Sequence, residues 1–296
     1  MCSPERRNTM ASFTNQATLT YNGGTVNSNI VTGELVQVLT ASKTAAAESY
    51  RTGDLVTYVV QLRSTGAAAL TGLTVTDTLG TTNFPATGGT VQLTPLTYQA
   101  GTLRYFMNGV LQTAPAVTVL ANGIRIEGIT VPAGGVITLV YTTRVNAFAD
   151  PSAVGTIENT VTVTGGALAG QTATEEIMAS QAARLEITKA LSPAVVAENG
   201  QLTYTFTIRN FGPTAVDAAD DAAVTDTFSP VLNDITVTYN GTPWATPGDY
   251  TYSAATGVFS TTPGRITVPA AAYTQSTDGT WVITPGTATL VVSGTI

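Results

Sequence analysis

An internal repeat is the feature of this sequence that most constrains its fold. One segment begins at Lys43 (KTAAAESYRTGDLVTYVVQLRSTG) and a second begins at Lys189 (KALSPAVVAENGQLTYTFTIRNFG). In both segments a tyrosine, Tyr58 or Tyr204, follows the lysine after 15 residues. A turn that contains glycine comes next in each copy. The repeat predicts two copies of one domain in tandem.

Both copies contain strands with alternating side chains. The segments DLVTYVVQL (54–62) and QLTYTFTIR (201–209) alternate with a period of two, which gives each strand one buried and one solvated face. Each copy then reaches a V-T-D-T sequence, at Asp77 and at Asp226. Thr, Val, Ala and Gly dominate between turn signals, as is typical of β-sandwiches. We therefore predict an all-β chain with two tandem immunoglobulin-like β-sandwich domains.

The two copies end differently. The first finishes with the strand IENTVTVTG around Asn159, whereas the second reaches ITPGTATLVVSGTI, so that Ile296 lies opposite Val145 in the alignment. The second copy therefore lacks its last strand. A similar segment precedes the first copy: residues 13–35 resemble residues 157–177, with Asn15 opposite Asn159. Asn15 precedes Lys43 by 28 residues, and Asn159 precedes the second lysine by 30.

This order predicts that subunits complete one another. A sandwich without its last strand exposes core and an unpaired edge, which a donated strand can fill. If a neighbouring subunit donates the strand, the contact does not close, and a head-to-tail homopolymer forms. Two alternatives remain open: a loose N-terminal arm with a chance match, or an arm that folds back onto its own second domain. The donated face is predicted to carry Phe13, Ala17, Leu19 and Tyr21.

The predicted boundaries follow from the repeat. Residues 1–12 are an N-terminal extension that is disordered or precedes the true start, with Met10 as an alternative start. Residues 13–35 are the donor strand and linker. Residues 36–178 form the first sandwich, and residues 179–296 form the second, which lacks its last strand.

The lysines suggest a covalent bond within the fold. Ten of the twelve basic residues are arginine, and the two lysines, Lys43 and Lys189, occupy matched positions of the repeat. A lysine buried in a sandwich core has a lowered pKa and becomes a nucleophile. It could attack the carboxamide of an asparagine on a neighbouring strand and expel ammonia, forming an isopeptide bond. The alternative is that both lysines lie at strand edges with their charges in solvent.

A carboxylic acid kept protonated by the same apolar surroundings would polarise the amide and move the protons. Each repeat is predicted to use one set of residues. The first set is Lys43, Asp77 and Asn159 within a subunit. The second set is Lys189, Asp226 and the imported Asn15, which would join two subunits. In this hypothesis the two aspartates promote the reaction; the alternative is that they cap turns.

Composition excludes several other functions. The chain has no histidine and one cysteine, Cys2, so histidine-dependent catalytic centres, disulfides within the chain and zinc sites of histidine or several cysteines are excluded. We expect no enzyme beyond autocatalytic bond formation, no cofactor and no metal. The net charge of -7 argues against nucleic acid. No apolar run suits a signal peptide or a membrane span, so the export route is not visible.

A ligand-binding surface module acting as a monomer is the alternative function, with an unknown surface ligand. It would use aromatic residues in the longer loops of the second domain, namely Trp244, Tyr250, Tyr252 and Trp281. Ordinary packing is the competing interpretation of these residues. Three acidic residues, Asp217, Asp220 and Asp221, could hold Ca²⁺ through carboxylate oxygens or simply form a solvated loop.

The combined pattern resembles a known family. The lysine–tyrosine spacing, LTYTFTIRNFGP, VTDT and the closing ENTVTV are similar to the bacterial surface-repeat family called domain of unknown function eleven, and to related isopeptide-forming fimbrial and adhesin domains. The first repeat departs from the family's N-x-G at Ser64-Thr65-Gly66. The resemblance implies immunoglobulin-like domains at a bacterial cell surface or outside the cell, with the bond-forming residues named above. A sortase sorting motif is not seen, which favours self-assembly by strand donation.

Overall fold

The computed structural model describes residues 11–35, 38–165 and 170–296, which form three β-structured regions. They are an N-terminal arm, a first domain and a second domain. The predicted all-β fold is confirmed, since regular structure in the described residues consists of strands and one short 3₁₀ helix, Ala218–Asp220.

The strands are as follows. The arm contains β1 (Ala11–Asn15), β2 (Thr18–Tyr21), β3 (Gly24–Asn27) and β4 (Val31–Leu35). The first domain contains β5 (Leu39–Ala45), β6 (Ser49–Tyr50), β7 (Leu55–Ser64), β8 (Leu70–Asp77), β9 (Thr82–Ala86), β10 (Gly89–Leu93), β11 (Leu96–Tyr98), β12 (Arg104–Met107), β13 (Val110–Gln112), β14 (Val117–Leu120), β15 (Gly123–Val131), β16 (Val136–Val145), β17 (Thr156–Thr164) and β18 (Gln171–Ala179). The second contains β19 (Leu185–Ser192), β20 (Gln201–Asn210), β21 (Thr225–Thr227), β22 (Asn233–Tyr239), β23 (Thr242–Trp244), β24 (Tyr250–Tyr252), β25 (Val258–Thr261), β26 (Ala272–Gln275), β27 (Trp281–Thr284) and β28 (Gly286–Thr295).

Two six-stranded sheets enclose the core of the first domain. One has the order β13-β12-β16-β7-β5, with β11 also paired to β16, and the other has the order β14-β15-β8-β17-β18-β6. Alternate residues of both sheets are buried together, for example Leu62 and Leu139 from the first and Ile126 and Val161 from the second. Their burial removes apolar surface from water, which stabilises the domain by roughly 1.5–3 kcal/mol for each large side chain.

The last two strands of this domain form a hairpin that closes it. β17 pairs with β8 on one side and with β18 on the other. β18 in turn pairs in parallel with β6, and it packs beside β5 of the opposite sheet. The hairpin therefore covers the core between the edges of both sheets.

The second domain is smaller and has an open edge. One sheet has the order β19-β20-β28-β22-β23, and the other has the order β21-β25-β24. Strand β21 matches β8 and pairs with β25 on one side. Among the described residues no strand pairs with its other side, where β17 lies in the first domain. All residues of β19, which matches β5, are exposed.

The arm is a hairpin of its own. β1 pairs with β4 and β2 pairs with β3, and the chain reverses at Asn22-Gly23, where both residues have positive φ, 41° and 80°. Such a turn suits the twist of two antiparallel strands. Within residues 13–35, which the sequence analysis assigns to the donor strand and linker, this turn lets the residues after it form the second half of the hairpin.

The two domains meet end to end. The backbone N–H of Trp281 donates to the carbonyl of Ala147 at 2.8 Å, and a small cavity at the junction is lined by residues that include Tyr50, Arg184 and Tyr273. Tyr50 and Ala147 lie at the end of the first domain where β7 begins, since Arg144 pairs with Leu55, the first residue of β7. The arm enters at the opposite end, since Leu39 pairs with the last residue of β7.

Candidate functional site

The first candidate site is a buried ion pair. Lys43 lies on β5, and Asp77 is the last residue of β8 in the opposite sheet. The lysine Nζ lies 2.6 Å from Oδ2 of the aspartate, and the two side chains are 0% and 1% exposed. The structure thus brings together two of the residues that the sequence predicts to react.

Asn159 lies beside this pair on β17 and is fully buried. Val161 is the register partner of Asp77, so Asn159 is the next residue on the same face of the strand. The backbone N–H of Gly80 donates to its Oδ1 at 3.2 Å, whereas its Nδ2 has no hydrogen-bond partner among the described residues. The carbonyl is therefore polarised by a donor, and the Asn159 side chain also interacts with the Tyr58 hydroxyl.

Two tyrosines complete the site: Tyr58, which the sequence analysis named without a role in the site, and Tyr141, which it did not name. The Tyr141 hydroxyl donates to Oδ2 of Asp77, and the Tyr58 ring lies 4.7 Å from Nζ of Lys43. Burial raises the pKa of Tyr58 and of Tyr141, so both hydroxyls keep their protons. Their signal in the sequence was the period-two alternation of β7 and β16, which places both rings on the core side.

Burial lowers the pKa of Lys43 to about 8, because the charged ammonium loses its hydration. The charge of Asp77 and its hydrogen bond oppose this shift, as does the charge of Glu175. Glu175 lies on β18 directly opposite Asn159, and its Oε1 accepts the backbone N–H of Ala45 at 3.2 Å. The lysine is therefore closer to its neutral, nucleophilic form than a surface lysine.

The second candidate site contains the matching ion pair, but here the pair is partly exposed to solvent. Lys189 of β19 forms an ion pair with Asp226 of β21, but the side chains are 39% and 19% exposed. The lysine Nζ lies 4.3 Å from the centroid of the Tyr204 ring, the match of the first domain's Tyr58. Val292 occupies the position of Tyr141, so this aspartate has no matching tyrosine hydroxyl.

The asparagine predicted for the second site lies elsewhere. Asn15 is exposed on β1, where it pairs with Val31, and the four arm strands pair only with one another within the described residues. Of the predicted donor face, Ala17, Leu19 and Tyr21 are exposed, while the side chain of Phe13 lies outside the described residues. The contact of Asn15 with Lys189 stays a prediction.

The other candidate residues have structural partners. Trp244 stacks on Tyr239 at a centroid distance of 4.7 Å, Tyr250 is buried, and the Tyr252 hydroxyl bonds the backbone of Leu232. Trp281 lies at the domain junction. Asp217 accepts the N–H of Ala219 and Asp220 bonds back to the N–H of Asp217, which caps the 3₁₀ helix. Within the described ranges no cluster of metal-ligating side chains is found.

Comparisons with known proteins give fold-level neighbours. No protein-family model matches the chain, and no curated protein matches it. The solved structures that it resembles include the pilus backbone RrgB from Streptococcus pneumoniae (14% identity, 83% of this chain and 55% of that chain, TM-score 0.34). They also include BcpA, the major pilin subunit of Bacillus cereus (13% identity, 93% and 73%, TM-score 0.34), and the collagen-binding subdomain ACE19 of an Enterococcus faecalis surface protein (9% identity, 47% and 95%, TM-score 0.31).

The chain spans just over half the length of the pneumococcal protein. These TM-scores are too low to carry an argument about function, so the functional inference rests on the residues of the two sites. The likeness to the surface-repeat family remains a prediction. No helix in the described part of the chain is long and apolar enough to cross a membrane.

Proposed function

We propose that this protein is a structural subunit that polymerises head to tail into an extracellular or cell-surface filament of a bacterium. The supporting observation is the difference between the two Lys–Asp pairs. A hairpin that carries Asn159 covers the first pair, whereas the second pair lies beside an open edge at β21. The arm is a second hairpin, and it carries Asn15. A hairpin from one subunit would complete the second domain of the next.

The proposal includes a covalent bond at each completed site. Nζ of the neutral lysine attacks Cγ of the asparagine, a C–N bond forms, and the bond to Nδ2 breaks. The aspartic acid protonates the leaving nitrogen, which departs as ammonia, and then accepts the proton that the lysine nitrogen releases. In the first domain the reacting residues are Lys43 and Asn159, with Asp77 as the acid. Between subunits they are Lys189 and Asn15, with Asp226 as the acid.

Removal of the arm tests the polymer. A chain that lacks residues 1–22 should remain monomeric in size-exclusion chromatography and form no filaments in electron microscopy, because the second domain stays open. The matched control lacks only residues 1–9 and should polymerise like the full chain. If the 1–22 deletion forms the same filaments as the full chain, the strand-donation mechanism is wrong.

Two asparagine variants test the bonds separately. Asn15→Ala should still polymerise but lose the ladder of oligomers that survives heating in SDS, since only the covalent link between subunits is removed. Asn159→Ala should keep the ladder. The intact mass of each subunit, compared with the mass calculated from its sequence, should then be short by one ammonia fewer than in wild type. A full-length chain that shows its full calculated mass and runs only as monomer in SDS contradicts the covalent part.

A further inference from the structure

We propose that the donated unit is the whole β1–β4 hairpin and that Val31 packs against Leu191 of the neighbouring subunit. This inference rests on the proposed function, because it concerns how one subunit completes the next. The sequence analysis named donor residues only on the strand that carries Asn15. The present inference adds a second strand and a specific apolar contact.

The first domain shows how such a hairpin docks. β17 provides Asn159 and pairs with β8, while β18 lies beside β5. The contact on the β18 side is made by Glu175, whose Oε1 accepts the backbone N–H of Ala45 at 3.2 Å. Ala45 stands two residues after the reactive lysine on β5. Both strands of the hairpin therefore contact the domain that they complete.

The arm has the same internal register. Asn159 pairs with Glu175 and Asn15 pairs with Val31, and each pair is separated by 16 residues (175 − 159 and 31 − 15). If Asn15 takes the place of Asn159, Val31 takes the place of Glu175. Val31 is 56% exposed in the subunit, as expected of an apolar side chain whose partner is on another molecule.

The receiving surface of the second domain is apolar where Val31 would replace Glu175. Leu191 stands two residues after Lys189, at the position of Ala45, and it is 43% exposed. Leu185 and Ile187 of the same strand are also exposed, and they line a groove with Ile208, Ala222, Ala223, Val224 and Ile266. A carboxylate meets a backbone N–H in the first domain, whereas valine would meet leucine in the second. The two hairpins are therefore not interchangeable.

The reach of the chain makes the partner a second copy. Leu39 follows Val31 by eight residue steps, which span at most about 29 Å when fully extended. Leu39 lies at the far end of β7, whose nine steps from Leu55 to Ser64 cover about 30 Å at 3.3 Å per residue. The junction is at the other end, and Leu191 lies about 20 Å further along β19. The hairpin cannot complete the second domain of its own chain.

A pair of charge variants of the full chain tests the second strand. Val31→Lys would bury a second ammonium beside Lys189 and Leu191, where Glu175 places a carboxylate in the first domain, and we expect roughly a hundredfold weaker assembly, read as the critical concentration for polymer formation. Thr32→Lys is the matched control, because Thr32 points to the other face of β4, and assembly should stay within about threefold of wild type. Circular dichroism and thermal melts of the monomers check that both variants fold.

The outcomes separate the two proposals. If Val31→Lys assembles like wild type while the 1–22 deletion does not assemble, a single strand is donated and this inference is wrong. Equal losses in Val31→Lys and Thr32→Lys also overturn it, because the register is then not the one described. If the 1–22 deletion forms the same filaments as wild type, strand donation itself fails.

A cross-link tests the contact without adding charge. On a background of Cys2→Ser and Asn15→Ala, which removes the covalent ladder, chains with Val31→Cys are mixed with chains with Leu191→Cys and oxidised during assembly. A dimer on non-reducing gels that reduction converts to monomer is expected from the mixture and not from either chain alone, since each chain has one thiol and the link forms only between molecules. Thr32→Cys in place of Val31→Cys should give at least tenfold less disulfide-linked dimer. Polymers without this cross-link would overturn the contact.

Discussion

The two Lys–Asp pairs have the same residue types on matched strands, yet their surroundings differ. The side chain of Lys43 is fully buried, whereas that of Lys189 is 39% exposed. Both lysines lie near a matched tyrosine ring. The difference is the β17–β18 hairpin, which covers the first pair and has no counterpart on the second within the described residues. The burial of the first pair is therefore produced by the covering hairpin, not by the strands that carry lysine and aspartate.

This comparison implies that docking and reactivity are coupled. A lysine that stays hydrated keeps its ordinary protonation and is a poor nucleophile. If the donated hairpin covers Lys189, it removes water from the pair and delivers the amide in one event. The second site would then react only after the correct neighbour is bound.

Removal of the aspartates should give the largest difference in stability loss between the two domains. In chains that also carry Asn159→Ala, so that no bond forms in the first domain, Asp77→Ala should destabilise that domain by about 3–5 kcal/mol. The reason is that it leaves a buried lysine without its partner. Asp226→Ala should cost the monomer's second domain less than about 1 kcal/mol, because its ion pair is solvent-exposed. Domain-resolved hydrogen exchange measures both, and equal losses would show that exposure does not distinguish the pairs.

A smaller effect is expected from the tyrosine that the second domain lacks. Tyr141→Phe removes a hydrogen bond to a buried carboxylate, and on the Asn159→Ala background it should cost the first domain about 2 kcal/mol. Tyr105→Phe is the control, because that hydroxyl donates to the neutral carbonyl of Thr130 and should cost about 1 kcal/mol. Chemical denaturation reports both values. If Tyr141→Phe causes no loss of stability, the hydroxyl does not stabilise the first pair, and the valine at the matching position 292 does not distinguish the two sites.

The smallest expected effect is the pH dependence of bond formation in the first domain. The reactive state, a neutral amine with a carboxylic acid, has the same single proton as the ion pair of Lys43 and Asp77. Since the pKa of Lys43 is about 8, raising the pH past this value removes the shared proton. The rate should be flat between pH 6 and 7 and fall about tenfold per pH unit well above 8.

Time-resolved intact-mass measurement of chains made by cell-free synthesis follows the loss of ammonia. Asn159→Ala is the control and should lose none at this site. A rate that rises through pH 8 would indicate that the lysine reacts without help from the carboxylic acid.

Much of the fold could be predicted from the sequence because its signals are local. The alternation in β7 and β20 fixes which side chains face the core, and the matched lysines and aspartates follow from the repeat. The alignment of residues 13–35 with residues 157–177 extends past Asn22-Gly23, and this pair of residues is itself a local turn signal for a hairpin.

Other features depend on contacts between distant segments. The position of Asn159 beside Gly80 and the tyrosine hydroxyl on Asp77 arise from the packing of strands far apart in the chain. The contact of Trp281 with Ala147 at the junction likewise joins two domains. No periodicity within a single segment reports such contacts, so they became visible only in three dimensions.

The position of Asn159 has a mechanical consequence. Tension along a filament would enter the first domain where β5 begins and leave it where β18 ends. A bond from Lys43 to Asn159 would link β5 to the closing hairpin. Force would then pass across that one link, and the intervening strands β6–β16 would carry none of it. If the core unfolded under load, the domain would lengthen only by the chain outside the bond, from the start of β5 to Lys43 and from Asn159 to the end of β18.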